Sequence, residues 1–372
     1  MNQPPTTPSS ATAICTSITA TGASFRPPEL EALTLGFIPL IDAALLVAAR
    51  EGGFFAAAGL DVSLSRENAW STLRDKVAAG LLDGAHMLAP LPLAMSLGLS
   101  RAPCETLAPM VLGSQGNTLV LSNRYAEGMP PPDPQDPGAN ARRLRETLAE
   151  HLVHGSGTPP RLAMVYPWSC QHFQLRDWLG RGGIDPDSGV ELVALPPPRM
   201  VDALRDGQID GFCVGEPWGS LAEHHGVGRI VATGADLWPG HPEKVLGVTA
   251  SWAKRYPGTL DALIRSLIAT AAWLDEVPTA TQQTRDWLAL PPYLDRSIDH
   301  LDDLRLGLAP ARQRLTEALR PCPEAFVAIA EHVDQQLTAR GRRLDADTLE
   351  GCYSPTAFDR VARPRTQGPG DE

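Results

Sequence analysis

Apolar and polar positions alternate along this chain in two periods, one typical of strands and one typical of helices. The first strand is predicted at "LTLGFIP", and a helix follows from about Asp42 until Gly52 and Gly53 end it. The same order returns in the second half, where "RLAMVYP", "QHFQLRDWLGRGG" and "VELVALP" indicate strand, helix and strand. This repeated alternation predicts an α/β fold with mostly parallel sheets.

A short motif occurs twice in equivalent surroundings. The motif G-x-x-D-G stands at 80–84 and at 207–211, each time after an amphipathic helix and before an apolar strand. Its recurrence predicts two similarly built lobes, although two ordinary helix ends are the alternative interpretation. The pair Asp83 and Asp210 is not expected to be catalytic, because an aspartate in such a turn binds its own backbone.

Composition narrows the class of protein. The chain has 372 residues, enough for two lobes, and a net charge of −11, which disfavours direct nucleic-acid binding. The six cysteines are scattered without a C-x-x-C motif, so zinc is not indicated. No apolar run reaches the roughly 18 residues of a membrane span. The Pro/Thr/Ser-rich start has no credible export signal, which predicts a disordered leader and a cytoplasmic protein.

Hydrogen-bond donors follow several predicted strands, where open α/β sheets bind their ligands. Candidate ligand-binding residues stand at six positions: Trp70, Gln115, Asn117, His172, Gly215 and Lys244. An indole, amides, an imidazole, a backbone N–H and an ammonium group together favour an anion site. Taken singly, each has a plainer interpretation: a packing tryptophan, a helix-capping histidine, a solvated lysine at a strand start.

Enzyme motifs are absent from the sequence. There is no G-x-S-x-G, G-x-x-x-x-G-K-[ST], H-E-x-x-H, or G-x-G-x-x-G after the first strand. We therefore predict a binding protein with no catalytic residue and no cofactor.

Four stretches together resemble the nitrate/bicarbonate-binding proteins of ABC transporters. They are "LTLGFIPLIDAALLVAAREGGFFAAAGLDVSL", "AWSTLRDKVAAGLLDGAHMLAPLPLAMSLG", "DGFCVGEPWG" and "GHPEKVLG". The resemblance covers about residues 33–275 and implies a type II periplasmic-binding-protein fold, with two α/β lobes around a ligand cleft. The implied domains are a disordered leader 1–32, lobe 1 from 33–116 and 240–345, lobe 2 from 117–239, and a C-terminal tail 346–372.

The resemblance also implies the ligand. Nitrate-binding members surround the anion with an aromatic, an amide side chain, a histidine, a glycine amide and a lysine. These fall on Trp70, Asn117 with Gln115 nearby, His172, Gly215 and Lys244. Bicarbonate-binding relatives carry an acidic residue near the lysine position and use a metal ion, so Lys244 favours nitrate or nitrite without a metal. Lys244→Ala is expected to weaken binding and leave the fold intact, because a lysine at a strand start has no core role.

The lack of a credible export signal separates this chain from transport receptors. In that respect it is similar to the cytoplasmic NasS-type nitrate/nitrite sensors, which sequester an RNA-binding antiterminator of the NasT (ANTAR) type until ligand binds. The resemblance therefore implies a sensor and an antiterminator partner. An exported receptor for nitrate or bicarbonate is the alternative. A pyrimidine-forming enzyme of the thiamin pathway, on the same fold, is a third interpretation, which the lack of clustered cysteines disfavours.

Overall fold

The computed structural model describes residues 26–99, 101–153, 158–299, 301, 308–310 and 313–362. Within this part of the chain, ten strands form two five-stranded sheets. The first sheet contains β1 Ala32–Phe37, β2 Asp61–Arg66, β3 Gly84–Leu88, β4 Thr106–Ser114 and β10 Pro242–Thr249. The second contains β5 Asn117–Ser122, β6 Arg161–Met164, β7 Glu191–Ala194, β8 Gly211–Gly215 and β9 Gly228–Thr233. Of the predicted leader, residues 1–25 lie outside the described residues.

The two sheets have the same topology. The strand order is β2-β1-β3-β10-β4 in the first sheet and β7-β6-β8-β5-β9 in the second. The fourth strand of each, β10 or β5, is antiparallel to both of its neighbours, and the other pairs are parallel. This arrangement matches the predicted α/β class with mostly parallel sheets.

The chain crosses between the sheets twice, and the two crossings touch. The first runs through Gln115 and Gly116, which both have positive φ, 66° and 81°. The second runs through His241, whose carbonyl accepts a hydrogen bond of 3.1 Å from the Gln115 N–H. The strands β5 and β10 begin directly after these crossings, so their first residues lie between the lobes. The predicted lobe boundaries at 116/117 and 239/240 stand close to these crossings and stay a prediction.

Helices connect the strands and cover the sheets. Their bounds are α1 Ala44–Glu51, α2 Phe54–Ala57, α3 Trp70–Ala78, α4 Leu91–Ser96, α5 Asn123–Ala126, α6 Ala139–Val153, α7 Cys170–Arg181, α8 Pro197–Arg205, α9 Trp218–His224, α10 Gly234–Leu237, α11 Ala250–Arg255, α12 Pro257–Glu276, α13 Ala280–Leu288, α14 Leu315–Ala318, α15 Val327–Thr338, α16 Ala346–Cys352 and α17 Thr356–Ala362. Short 3₁₀ turns lie at Ile41–Ala43 and Pro323–Phe326. Among the described residues, no helix is both long and apolar enough to cross a bilayer.

The two G-x-x-D-G turns are equivalent structural ties. The Asp83 N–H donates to the Thr34 carbonyl at 3.0 Å, and the Thr34 N–H donates to the Asp83 carboxylate at 2.8 Å. Asp210 and Arg161 repeat both bonds, at 2.7 and 2.9 Å. Asp83 therefore ties the start of β3 to β1, and Asp210 ties the start of β8 to β6. This equivalence agrees with the two-lobe interpretation of the motif.

The predicted C-terminal tail, 346–372, contains two helices in its described part. Helices α16 and α17 lie between residues 346 and 362 and both pack on β4, whereas residues 363–372 lie outside the described residues, so the extent of a tail stays a prediction. Tyr353 is fully buried, and its hydroxyl donates to the Ala89 carbonyl at 2.8 Å. The apolar side chains of Phe358 and Val361 supply the buried face of α17. Two turns of amphipathic helix give only a weak periodic signal, so the sequence did not reveal them.

Candidate anion-binding site

Lys244 lies in β10, directly after the second crossing, and is fully buried. Its Nζ is 2.8 Å from Oδ2 of Asp42 and 2.8 Å from Oε1 of Glu243, which are themselves buried. The premise that this lysine has no core role is therefore wrong. The strand β10 is bonded on both sides, to β3 and β4, so Lys244 stands in an inner strand of the first sheet.

All three charged groups are held in their ionised forms. Burial alone would raise the pKa of Asp42, but Lys244 and His86 outweigh burial and hold it below the usual range. Burial acts likewise on Glu243, and Lys244 and His241 hold its pKa low. Burial opposes the charge of Lys244, but the two carboxylates raise its pKa above the ordinary value. The group therefore carries one positive and two negative charges.

Trp70 contacts this group from the first turn of α3. Lys244 Nζ lies 5.8 Å from the centroid of its ring, a cation–π distance. The side chain is 1% exposed, and within the described part of the chain its indole N–H donates no hydrogen bond. A buried donor without an acceptor is costly, so this N–H is suited to an anion placed beside Lys244.

A network of amides holds Glu243. Asn117, the first residue of β5, donates from Nδ2 to Glu243 at 2.7 Å and to Gln174 at 2.9 Å. Gln171 Nε2 donates to the side-chain oxygen Oδ1 of Asn117 and to Glu243 Oε1, at 2.7 Å in both cases. Both amide hydrogens of Asn117 are thus already donated, so in this arrangement it positions Glu243. Its predicted contact with a ligand stays a prediction.

Gly215 and Gln115 approach the group through their backbones. Gly215 pairs with Asn117 across β8 and β5. A Cβ at position 215 would lie 3.6 Å from Asp42 Oδ2, an ordinary van der Waals distance, so this strand end lies next to the Asp42 carboxylate. Gln115 is half-buried in the first crossing and ties it to His241 through its N–H.

His172 lies on another side of α7. Its Nδ1 is 2.7 Å from the Pro167 carbonyl, and its ring packs against Phe173, with the centroids 5.8 Å apart. Burial, partly offset by the Pro167 carbonyl, lowers its pKa, so it is neutral at pH 7. The described contacts bring Gln171 to Glu243 and Gln174 to Asn117, and they do not bring His172 to either. Of the six candidates, Trp70, Asn117, Gly215 and Lys244 come together.

Cys170, His241 and Glu243 bring a thiol, an imidazole nitrogen and a carboxylate oxygen within 4.8 Å of one another. These are ligand types for zinc. Burial and Glu243, however, raise the pKa of the Cys170 thiol well above its ordinary value. Glu243 already accepts hydrogen bonds at both oxygens, and the Lys244 ammonium next to it would repel a dication. The arrangement therefore does not favour a metal.

Sequence reasoning missed several buried polar groups around Lys244. They are Asp42, His86, Gln171, Gln174 and His241. Asp42 follows β1 and His86 lies within β3, so the rule that searched strand ends could have found Asp42. Gln171 and Gln174 are three residues apart and share a helix face, whereas His172 is rotated from Gln171 by 100°.

A family model described as the NMT1-like family matches residues 26–289. The chain belongs to the NMT1-like family. The nitrate import ATP-binding protein NrtC of Synechocystis sp. is 42% identical over 72% of this chain. The bicarbonate transport ATP-binding protein CmpC of the same organism is 37% identical over 72%. These matches span only 38% and 39% of the two relatives, so less than half of each relative corresponds to this chain.

Among solved structures, this NMT1-like chain matches the periplasmic nitrate-binding protein NrtA from Synechocystis PCC 6803. The TM-score is 0.78 with 25% identity, over 91% of this chain and 89% of the other. The type II periplasmic-binding-protein fold and the resemblance to nitrate/bicarbonate-binding proteins are therefore confirmed. That neighbour is a binding protein, in keeping with the absence of enzyme motifs.

Proposed function

We propose that this protein binds a small planar oxyanion, nitrate or nitrite, at Lys244 between its two sheets. One observation carries the proposal: a fully buried lysine lies 5.8 Å from the ring centroid of Trp70, whose indole N–H is buried without a partner among the described residues, where the chain crosses between the lobes. Nitrate is weakly basic and has delocalised charge, so it needs a cation and a few directed donors rather than many.

Calorimetric titration of the purified protein with nitrate, nitrite and bicarbonate tests the proposal. We expect saturable binding of nitrate or nitrite with one site per chain. Absence of heat and of thermal stabilisation with all three anions would refute oxyanion binding.

Trp70→Phe is expected to weaken nitrate binding about tenfold, the worth of one hydrogen bond to a charged group. The phenyl ring keeps an aromatic face against Lys244, although the smaller ring leaves a cavity whose cost in stability the control shares. Trp178→Phe is the matched control, since the Trp178 N–H is also buried without a partner among the described residues, in α7. Calorimetry on both variants is the measurement, and equal affinities for the two would contradict the ligand role of Trp70.

Bicarbonate is the second candidate, because Glu243 places an acidic side chain directly on Lys244 and one relative is named for bicarbonate transport. We expect nitrate binding to survive prolonged treatment with EDTA, since the buried carboxylates are already paired with donors. The affinity is compared by calorimetry before and after chelation, with added calcium as the control. Binding that is lost in EDTA and restored by calcium would favour the bicarbonate assignment.

Two cellular roles are compatible with nitrate binding, and they differ in where the protein is located. An exported receptor of an ABC transporter is supported by relatives named for nitrate and bicarbonate transport. A cytoplasmic sensor that sequesters an ANTAR-type antiterminator stays a prediction from the resemblance. We put the receptor first. Cell fractionation with N-terminal sequencing distinguishes the two, and co-purification of an antiterminator that nitrate releases would reverse our order.

A further inference from the structure

Asp42 occupies a position between the lobes that an oxyanion would share. It lies in the 3₁₀ turn at the carboxyl end of β1 and is 2% exposed. The Ile41 N–H beside it donates across the cleft to the Glu216 carbonyl at 2.9 Å. Asp42 Oδ2 therefore faces Lys244 at 2.8 Å and lies close to Gly215. Two of the donors proposed for the ligand are thus next to one carboxylate oxygen.

A carboxylate and nitrate are alike in the features that Lys244 recognises. Both are planar, both carry one negative charge, and both spread it over equivalent oxygens. Glu243 is also bonded to Lys244, but Asn117 and Gln171 hold it firmly. Asp42 is held less completely, because its Oδ1 has His86 Nε2 at 3.1 Å but makes no aligned hydrogen bond within the described residues.

Charge makes the two anions mutually exclusive. The Lys244 ammonium is already bonded to two carboxylates, those of Asp42 and Glu243, in a site without exposure to solvent. A further anion bound beside an unmoved Asp42 would place a third negative group against this one ammonium, which low polarity makes costly.

We therefore propose, building on the proposed function, that Asp42 is an internal competitor, whose carboxylate holds the position on Lys244 that the oxyanion takes on binding. The ligand displaces this carboxylate from Lys244. The measured affinity for the ligand is therefore lowered by the free energy needed to displace Asp42. His86 offers the displaced group a partner: its Nε2 is 3.1 Å from Asp42 Oδ1, and neither atom makes an aligned hydrogen bond. A small rotation of Asp42 away from Lys244 would complete that bond.

The test compares wild type with Asp42→Asn and Asp42→Ala by calorimetry with nitrate at low ionic strength. Asparagine keeps the shape and removes the charge, so we expect nitrate to bind at least about tenfold more tightly. Formate, the smallest carboxylate, should bind Asp42→Ala and compete with nitrate there, and should bind wild type at least about tenfold more weakly. Circular dichroism confirms that each variant is folded.

The outcomes separate this inference from the proposed function. If wild type binds nitrate and Asp42→Asn binds it equally or more weakly, the inference fails and the function stands. If wild type binds no oxyanion, the proposed function fails, whereas formate binding to Asp42→Ala alone would still support a carboxylate-sized anion position at Asp42. If neither variant differs from wild type for nitrate or formate, Asp42 is not a competitor. Should Asp42→Asn fail to fold, the formate titration of Asp42→Ala decides.

Discussion

Lys244→Ala is expected to unfold with about 3–5 kcal/mol less free energy than wild type and to lose nitrate binding. Removal of the ammonium leaves Asp42 and Glu243 buried with their charges uncompensated, and breaking a buried ion pair from one side costs about this much. Urea unfolding and calorimetry measure the two effects. Lys254→Ala is the matched control, because Lys254 is exposed on α11 and should change neither.

A second variant separates the loss of stability from the loss of binding. Adding Asp42→Asn to Lys244→Ala removes one of the two orphaned charges, so part of the stability should return while nitrate still fails to bind. A single Lys244→Ala variant as stable as wild type, or one that still binds nitrate with wild-type affinity, would contradict the arrangement of charges described above.

The fold was predictable from the sequence because its signals are local. Strand and helix periods mark which side chains face the core, and these periods persist through each element. The repeated G-x-x-D-G turn also predicted that the two halves of the chain are built alike. The same helix–turn–strand context gives Asp83 and Asp210 equivalent hydrogen bonds in their sheets. The short helices α16 and α17 were missed because seven residues span about two turns, too few for a clear period.

The site was predictable only in part, because its contacts join distant parts of the chain. Strand ends located Trp70 and Lys244, which the fold indeed brings together. The partner of Lys244 is some 200 residues earlier, in a stretch that reads as an ordinary helix start, so no spacing linked Asp42 to it. The position of Lys244 at a strand start also predicted a lysine without a core role, whereas two carboxylates bind it.

Helix rotation explains the difference at His172. The position of α7 directly after a predicted strand places its first turn near the ligand site. The face that α7 presents to that site depends on the residue at which the helix begins. Ser169 caps the helix by accepting the His172 N–H at 3.1 Å. This start points Gln171 and Gln174 at Asn117 and leaves the His172 ring against Pro167 and Phe173. A sequence pattern does not predict the first residue of a helix to within one position, and a shift of one position rotates the face by 100°.

Glu216→Gln is expected to make the protein more stable above pH 7 by about 3 kcal/mol and to leave stability near pH 4.5 unchanged. Glu216 is 3% exposed before α9, and burial raises its pKa from 4.5 to about 7, although Ser220 donates to it from its N–H and hydroxyl at 3.0 and 2.8 Å. A raised folded-state pKa means that the folded protein binds the proton more tightly than the unfolded chain. Its contribution to stability is therefore full below pH 4.5 and is lost as pH rises through 7. A shift of this size corresponds to about 3 kcal/mol.

The measurement is the free energy of unfolding of wild type and Glu216→Gln in urea, at intervals from pH 4.5 to 8. Because glutamine is neutral throughout, the difference between the two proteins isolates the titration of Glu216 from that of every other group. We expect this difference to grow with a slope approaching about 1.4 kcal/mol per pH unit between the two pKa values and to level off above pH 7. Glu150→Gln is the control, because this carboxyl on α6 stays exposed in the folded protein. A flat difference for Glu216→Gln would mean that the buried carboxyl ionises as readily in the folded protein as in the unfolded chain, and that Ser220 compensates fully for its loss of water.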